Sequence, residues 1–474
     1  MSKQKLPDRE KDFAQWYQEV VYAAELVDQA PVRGCFVIRP YGTEIWENIK
    51  SILDKRIKET GHENAIFPLF IPQSFIAKEA EHIEGFAPEL AVVTHAGGKV
   101  LDEPLVVRPT SETMIHFMFA KWIKSWRDLP LKINHWANVV RWEMRPRAFL
   151  RTTEFFWQEG HTAHASYEEA EKEVLLMLQE YVNLAQDYMA IPVIPGLKSE
   201  SEKFPGAEKT YTFEALMPDG KAVQMGTSHL LSQNFAKSFD MTYQDKEGKL
   251  AYPYLTSWGA TTRLIGTLIM MHGDQKGLVL PPKIAPIQVV IIPILKKNID
   301  NSAVLNVANT VKEILQAFAS VKIDDDETKT PGAKFYKWEL KGVPVRIEIG
   351  PRDVENNVAV VADRLGESKE AIVIDDIGSY VKNLLETMQN KLFERAKERL
   401  QAQWHKKEKL SEFGKIMQKE GGLYQTGWCR NPACEQELKK YQAMTRCLLE
   451  EKTFSTCFFC DKESVSDVLV AKSY

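Results

Sequence analysis

The chain has 474 residues, 44% hydrophobic and 27% charged, a balance that supports folded cores and excludes wholesale disorder. A formal net charge of −4 excludes a global basic field for nucleic acid and leaves only a local patch.

Roughly two to four domains fit this length. The opening MSKQKLPDREKDFAQWY lacks an apolar signal core, and the longest apolar run, Ile287–Leu295, is far short of a membrane span. A soluble cytoplasmic protein with no membrane partner is expected. Asp12–Ala30 spaces Phe13, Trp16, Tyr17, Val20, Val21 and Leu26 as an amphipathic helix ending near Pro31. Gly34–Arg39 reads as a short strand and Pro40-Tyr41-Gly42 as a turn. Thr43 then caps a helix to Thr60, with Ile45, Trp46, Ile49, Ile52, Leu53 and Ile57 on one face and Gly61 closing it. Ala65–Ile71 reads as a strand whose Pro68 cannot donate to a ladder; an edge strand and a subunit boundary satisfy this equally. Val92–Arg108 is a hairpin turning at Gly97-Gly98. It delivers Arg108-Pro109-Thr110-Ser111-Glu112 to a strand end before a helix over Thr113–Trp126. Thr110 or Ser111 with a nearby acid also fits a plain helix cap.

Asn138–His164 is the central stretch. Two strands, Asn138–Glu143 and Arg151–Gln158, flank the loop Met144–Leu150, which is long for a hairpin. Arg141, Arg145, Arg147 and Arg151 are placed to converge on one polyanion, since guanidinium forks match phosphate and carboxylate geometry. Arg141 and Glu143 interrupt apolar strand positions, where charge is costly unless paired. Alternation puts Phe155, Trp157 and Glu159 on one face. A helix follows from Tyr167 to about Ala190, then a hairpin over Lys209–Met225 turning at Asp219-Gly220. It leads into Gln224, Thr227 and His229, which together make a polar site credible. Thr256–Arg263 precedes an apolar helix, Leu264–His272. A cation at a helix start opposes the dipole, and an anionic ligand would explain Arg263.

Pro281–Pro286 is the clearest linker. Beyond it strands at Ile287–Ile294, Val345–Ile349 and Asn357–Ala362 alternate with helices at Ala303–Ser320 and about Ser379–Ala402, a small mixed sheet with flanking helices. Asp324-Asp325-Asp326 reads as a solvated loop. Near the end stand Cys429-x4-Cys434 and Cys457-x2-Cys460, a spacing that fits a tetrahedral four-cysteine zinc site better than disulfides. Bound metal would contribute on the order of 10 kcal/mol to folding so small a module. Cys447 lies between the pairs and is an alternative ligand, and Cys35 reads as a small buried residue.

Three of these stretches resemble the signature motifs of class II aminoacyl-tRNA synthetases. The helix with Pro68-Leu69-Phe70 resembles motif 1, Arg141-x-Glu143 with its loop and Arg151–Phe155 resembles motif 2, and Thr261-Thr262-Arg263 resembles motif 3. Thr262 stands where the class usually has Glu, a departure seen in the prolyl branch. Arg108–Glu112, Trp157-Gln158-Glu159-Gly160-His161 and Gly226-Thr227-Ser228-His229 are similar to that branch too, and the cysteine-bearing end resembles its archaeal/eukaryote-like members. The resemblance covers essentially the whole chain. It implies an α+β fold: an antiparallel-sheet catalytic core with helices (1–283), an α/β anticodon-binding domain (284–400) and a small C-terminal zinc-binding α+β domain (401–474). There is no room between motifs 2 and 3 for a large editing insertion.

The implied reaction is activation of L-proline by ATP and transfer to tRNA(Pro), performed by a homodimer with Mg2+ on the phosphates and structural Zn2+. By resemblance Arg141 bridges the substrate carboxylate and α-phosphate, and Arg263 holds the γ-phosphate beside Thr261. Glu143, Arg151, Thr152, Gln224 and Thr227 belong to the ATP site. Thr110 and Glu112 suit the secondary amine of proline, and Trp157, Glu159, His161 and His229, with Phe155, its pocket. Arg145 and Arg147 meet the tRNA acceptor end or order only on binding. Glu339, Arg346, Arg352 and Asp353 lie where the family reads anticodon bases. The tail ending at Tyr474 packs toward the catalytic domain by resemblance and frays by physics alone. Two alternatives stand: a threonyl or seryl enzyme, although the core lacks the Cys/His/His zinc set of the threonyl branch, and a non-catalytic RNA-binding paralogue, which would be expected to lose Arg141, Glu143 or Arg263.

Overall fold

A single antiparallel-centred sheet carries the cleft and also reaches into the cysteine-bearing end. The computed structural model describes residues 6–77, 90–296 and 299–474. Among these the large sheet has eleven strands. From one edge they run Glu63–Asn64, Leu131–Val140, Glu154–His164, Tyr254–Thr261, Lys221–Ser232, Lys209–Leu216 and Ile194–Leu197, then Met444–Leu448, Ser466–Ser473, Leu423–Trp428 and Trp404–Lys406. Pairs from Leu131–Val140 to Ile194–Leu197 are antiparallel. Ser466–Ser473 also pairs in parallel with Lys221–Ser232, Lys221 opposite Lys472 and Ala222 opposite Ser473. The tail is therefore held on the catalytic sheet and not frayed. A buried ion pair, Arg446 Nη2 to Glu214 Oε2 at 2.6 Å, ties the two regions together.

Helices cover one face of this sheet. Trp16 and Val20 of Phe13–Ala23, Ile45 and Ile49 of Pro40–Glu59, and Leu264 and Leu268 of Arg263–His272 share one core. Each such side chain stabilises the fold by about 1.5–3 kcal/mol on burial. The first helix stops at Ala23, short of the expected Ala30, because Val27–Gln29 leaves it to pair with Phe36–Ile38. Pro40 opens the second helix where a turn was expected; at its first position the missing N–H costs nothing. Thr43 is therefore inside the helix and is not its cap. In Ala65–Ile71 only the end is strand, Phe70–Pro72 pairing with Leu105–Val107.

The central hairpin also differs from expectation. Its strands are Leu131–Val140 and Glu154–His164, with Val140 the last residue in register, opposite Glu154. Arg141 and Arg151 therefore sit in the connection and not on strands. A neighbouring segment captures the chain there: Arg141 N donates to Thr153 O at 2.8 Å, and Thr153 N donates to Gly34 O at 2.8 Å. Gly34 has φ +80°, and a Cβ on it would stand 2.1 Å from Thr153 Oγ1.

The following part has its own five-stranded sheet, in the order Val321–Ile323, Val289–Pro293, Val345–Ile349, Val358–Asp363, Lys369–Val373. Helices Ser302–Leu315 and Ile377–Ala402 pack on it through Val311, Val381 and Leu385. Asp324 is buried rather than solvated: its carboxylate accepts from Trp338 Nε1 at 2.6 Å and pairs with Lys337 at 3.3 Å. This part is clamped to the first by Arg364, which donates twice to Asp274 at 2.8 and 2.6 Å, and by Lys341 on Glu25 at 2.7 Å. Among the described residues no helix is long and apolar enough to cross a membrane.

Candidate active site

A cavity of about 480 Å³ opens over the middle of the large sheet. Every residue expected at the nucleotide or proline site lines it: Thr110, Glu112, Arg141, Glu143, Arg151, Thr152, Phe155, Trp157, Glu159, His161, Gln224, Thr227, His229, Thr261 and Arg263. Strand alternation explains much of this. Phe155, Trp157, Glu159 and His161 are every second residue of one strand. Gly160, between them, faces away and leaves room for the Trp258 ring, which a Cβ would meet at 2.0 Å.

Arginines form one wall. Arg141 Nε donates to Pro109 O at 2.9 Å, and its guanidinium lies 5.6 Å from the Phe155 ring and 5.5 Å from the Trp157 ring. Arg263 donates to Leu150 O and Gln224 O at 3.3 and 3.2 Å, and its own N–H donates to Thr261 Oγ1 at 3.0 Å. Those carbonyls orient Arg263 without neutralising it. Loss of solvent, then the charges of Arg151 and Arg141, push it down to about 10. Arg151 is loosely paired with Glu143 at 3.9 Å. Three mutually repelling guanidinium groups in one cleft are a receptor for an anion carrying several charges.

Carboxyls and histidines form the floor. Burial pushes the Glu112 carboxyl up, and Thr110 Oγ1 donates to it. Burial acts on Glu159 in the same sense, but the hydrogen bond and charge of His161, with a 3.3 Å hydrogen bond from Ser111 N, hold it below the usual range. Ser111 stands at the cap position of the helix Glu112–Trp122 without a side-chain cap bond, so the capping reading does not account for it. His229 is held between Thr227 Oγ1 at 2.9 Å and Thr210 Oγ1 at 3.0 Å, and burial pushes it down to about 3. It is a neutral aromatic wall, with the Phe204 ring 4.8 Å away. Several buried polar atoms here have no partner among the described residues: Trp157 Nε1, Glu159 Oε1, His161 Nδ1 and Ser257 Oγ. Buried polar groups are rarely left so; water or a ligand completes them.

Sequence reasoning missed Lys198, Phe204 and Ser257, which also line the cavity. Lys198 is buried, which lowers its pKa, and its Nζ donates to Gln224 Oε1 at 2.8 Å. A lysine in the segment after Ile194–Leu197 shows no motif; only pairing of that strand with Lys209–Leu216 brings it to the site.

Elsewhere, the sulfurs of Cys429, Cys434, Cys457 and Cys460 lie within 4.8 Å of one another, Cys429 being 3.8 Å from Cys434 and 3.6 Å from Cys460. Four thiolates about 2.3 Å from a tetrahedral ion would be roughly 3.8 Å apart. The cluster fits a metal ion, and Cys447, buried against Gly196, is not part of it. In the five-stranded part, Arg346 pairs with Glu348 at 3.0 Å and lies 4.4 Å from the Phe335 ring, one helical turn before Glu339. Glu339 pairs with Lys276 at 3.0 Å. Arg346 stands near the start of strand Val345–Ile349, and Arg352 and Asp353 follow its other end, where Asp353 Oδ2 accepts from Gly350 N at 2.7 Å. The four are thus split between the two ends of one strand.

Comparison with known proteins agrees with this geometry. Residues 98–272 match a model of the tRNA synthetase class II core domain (G, H, P, S and T). Residues 288–384 match an anticodon binding domain and residues 410–474 a prolyl-tRNA synthetase C-terminal region. The chain is 51% identical to a proline–tRNA ligase of Alkaliphilus oremlandii, over 98% of this chain and 97% of the relative. With that of Chloroherpeton thalassium it shares 53%, over 99% and 100%. Its structure is similar to a prolyl-tRNA synthetase from Cryptosporidium parvum complexed with halofuginone and AMPPNP, with a TM-score of 0.94, 43% identity and 99% of each chain covered. The same enzyme complexed with L-proline and AMP gives a TM-score of 0.92 at 42% identity, again over 99% of each chain.

Proposed function

The chain belongs to the family of proline–tRNA ligases, and on that premise we propose that its cleft activates L-proline with ATP and passes the prolyl group to the 3′ end of tRNA(Pro). One observation carries this reading: a wall of three arginines meets, in one cavity, a floor of buried carboxyls and aromatic rings. The first suits polyphosphate, the second a small cationic amine with an apolar ring.

In the first step a proline carboxylate oxygen bonds to the α-phosphorus of ATP, the bond to the β-phosphate oxygen breaks, and pyrophosphate leaves. In the second a terminal ribose hydroxyl of tRNA attacks the activated carbonyl, losing its proton, and AMP leaves. Neither step needs a protein nucleophile; placement and charge stabilisation carry them. Arg141 is the bridge between carboxylate and α-phosphate, its Nε fixed on Pro109 O. Arg263, with Thr261, receives the γ-phosphate. Arg151, Thr152, Glu143, Gln224 and Thr227 hold the rest of the nucleotide, which enters as its Mg2+ complex. Thr110, Glu112 and Glu159 take the secondary ammonium of proline, and Trp157, His161 and His229 enclose its ring.

The same reading covers the rest of the chain. The domains are 1–283, 284–400 and 401–474, and the second reads anticodon bases through Glu339, Arg346, Arg352 and Asp353. Zn2+ is the ion suited to the four cysteines, as a structural clamp. A homodimer is supported by apolar residues left in water around the motif 1 stretch: Ile66 is 93% exposed and Phe70 and Val92 are each 45% exposed. The enzyme works in the cytoplasm, where reduced thiols remain available to metal.

Charging assays on a panel of tRNA transcripts test the reading. Labelled proline is expected on tRNA(Pro) and on no other; equal charging of a non-cognate transcript, or none at all, contradicts it.

A further inference from the structure

Behind the arginine wall lies a second chamber of about 500 Å³, which shares Arg151, Lys198, Gln224 and Arg263 with the cleft. Four further cations line it alone: Arg145, Arg147, Lys221 and Arg446. Glu202 is the one acidic side chain among its lining residues. Two of the cations have outside partners, Arg446 on Glu214 at 2.6 Å and Lys221 on Asp219 at 2.8 Å. Arg145 and Arg147 make no ion pair among the described residues. One side of the chamber is closed by Ser473 and Tyr474, held in place by Tyr474 OH donating to Asp219 Oδ2 at 2.6 Å and Tyr474 N to Ala222 O at 3.2 Å.

We propose that this chamber receives the pyrophosphate released from ATP and holds it between bond cleavage and its exit. The inference rests on the reading of the cleft given above. The shared residues decide between small anion and nucleic acid. The chamber meets the cleft at Arg151 and Arg263, the groups assigned to the outer phosphates, so the leaving group passes from one set of guanidinium forks to the next. Its size admits a hydrated diphosphate.

Proline-dependent ATP–pyrophosphate exchange on the full chain tests this with inorganic pyrophosphate as the probe. Arg147→Ala and Lys221→Ala are each expected to raise the KM for pyrophosphate about ten-fold, the loss of one charge-assisted contact. Lys221→Arg should restore it. In Lys221→Ala, single-turnover adenylate formation with pyrophosphatase present should stay within about two-fold of the parent, since product no longer accumulates. An unchanged pyrophosphate KM in both alanine variants overturns the proposal. So does an unchanged pyrophosphate KM with a raised KM for tRNA, which would assign the chamber to RNA phosphates. A parent chain lacking proline-dependent exchange would overturn the reading of the cleft as well, so the two failures are distinguishable.

Discussion

His161 Nε2 stands 3.1 Å from Glu159 Oε2 at the floor of the cleft, with both side chains almost wholly buried. The two residues are neighbours on one strand face, so the contact follows from alternation. Beside them, burial drives a second carboxyl, Glu112, toward its neutral form; the charge of His161 opposes this and that of Glu159 adds to it. An entering secondary ammonium reverses that balance by supplying the missing positive charge.

Glu112→Ala is therefore expected to raise the KM for proline at least about ten-fold, one charge-assisted hydrogen bond, while leaving the KM for ATP near its parent value. Because burial raises the Glu112 pKa, proline KM should also rise as pH falls through that raised value, and Glu112→Gln should flatten the dependence. Exchange kinetics at several pH values check both. A proline KM that ignores the substitution would remove Glu112 from the amine site.

Arg141→Ala is expected to abolish adenylate formation and leave tRNA binding largely intact. The side chain is oriented by Pro109 O and two aromatic faces, contacts that serve position and not the fold's core. Rapid-quench adenylate assays and a filter-binding measurement separate the two properties. Near-normal adenylate formation in the variant would remove the bridging role.

The residue types of this site were legible in the sequence, and its backbone was not. Arg141 and Glu143 stand out because charge at apolar positions needs a reason, and Arg263 because a cation at a helix start opposes the dipole. The placement of Arg141 and Arg151 off the strands depends on Gly34, more than a hundred residues away, capturing Thr153. The same holds for Lys198, brought in by sheet pairing, and for the Glu214–Arg446 ion pair, whose partners are 232 residues apart. Helix ends were misjudged where one local rule outweighed another, as at Pro40, which serves as readily at a helix start as in a turn. Asp324 looked solvated beside two other aspartates, and only the fold shows Trp338 and Lys337 turned toward it. The four cysteines were the simplest case, because ligand spacing is a local property and their sulfurs do converge.

Removal of metal should unfold the C-terminal part first. Chelation, or Cys457→Ser, is expected to release about one equivalent of zinc per chain and to lower the melting temperature, given that such sites contribute on the order of 10 kcal/mol. Metal analysis alongside calorimetry checks this. An unchanged melting profile after complete metal loss would count against a structural ion.

Buried histidines should make the fold acid-sensitive. Burial pushes His164 and His272 down to about 4 and His229 to about 3, from an ordinary 6.5. Between roughly pH 6.5 and 4 the unfolded chain binds protons that the folded chain refuses, so stability is full above that window and declines as pH falls through it. Each histidine contributes a slope of up to about 1.4 kcal/mol per pH unit. His272→Asn, which keeps a donor toward Met189 O, should reduce the slope by one proton's worth. Urea midpoints at pH 7, 6 and 5 check this; a midpoint independent of pH would contradict it.

The most direct measurement of the central claim is ATP–pyrophosphate exchange with each of the twenty amino acids in turn. The arrangement of Glu112, Glu159 and the aromatic walls predicts that proline drives exchange best, with other small amino acids weaker, since size alone discriminates poorly in an apolar pocket. Exchange driven best by threonine or serine, or by no amino acid at all, would contradict the account.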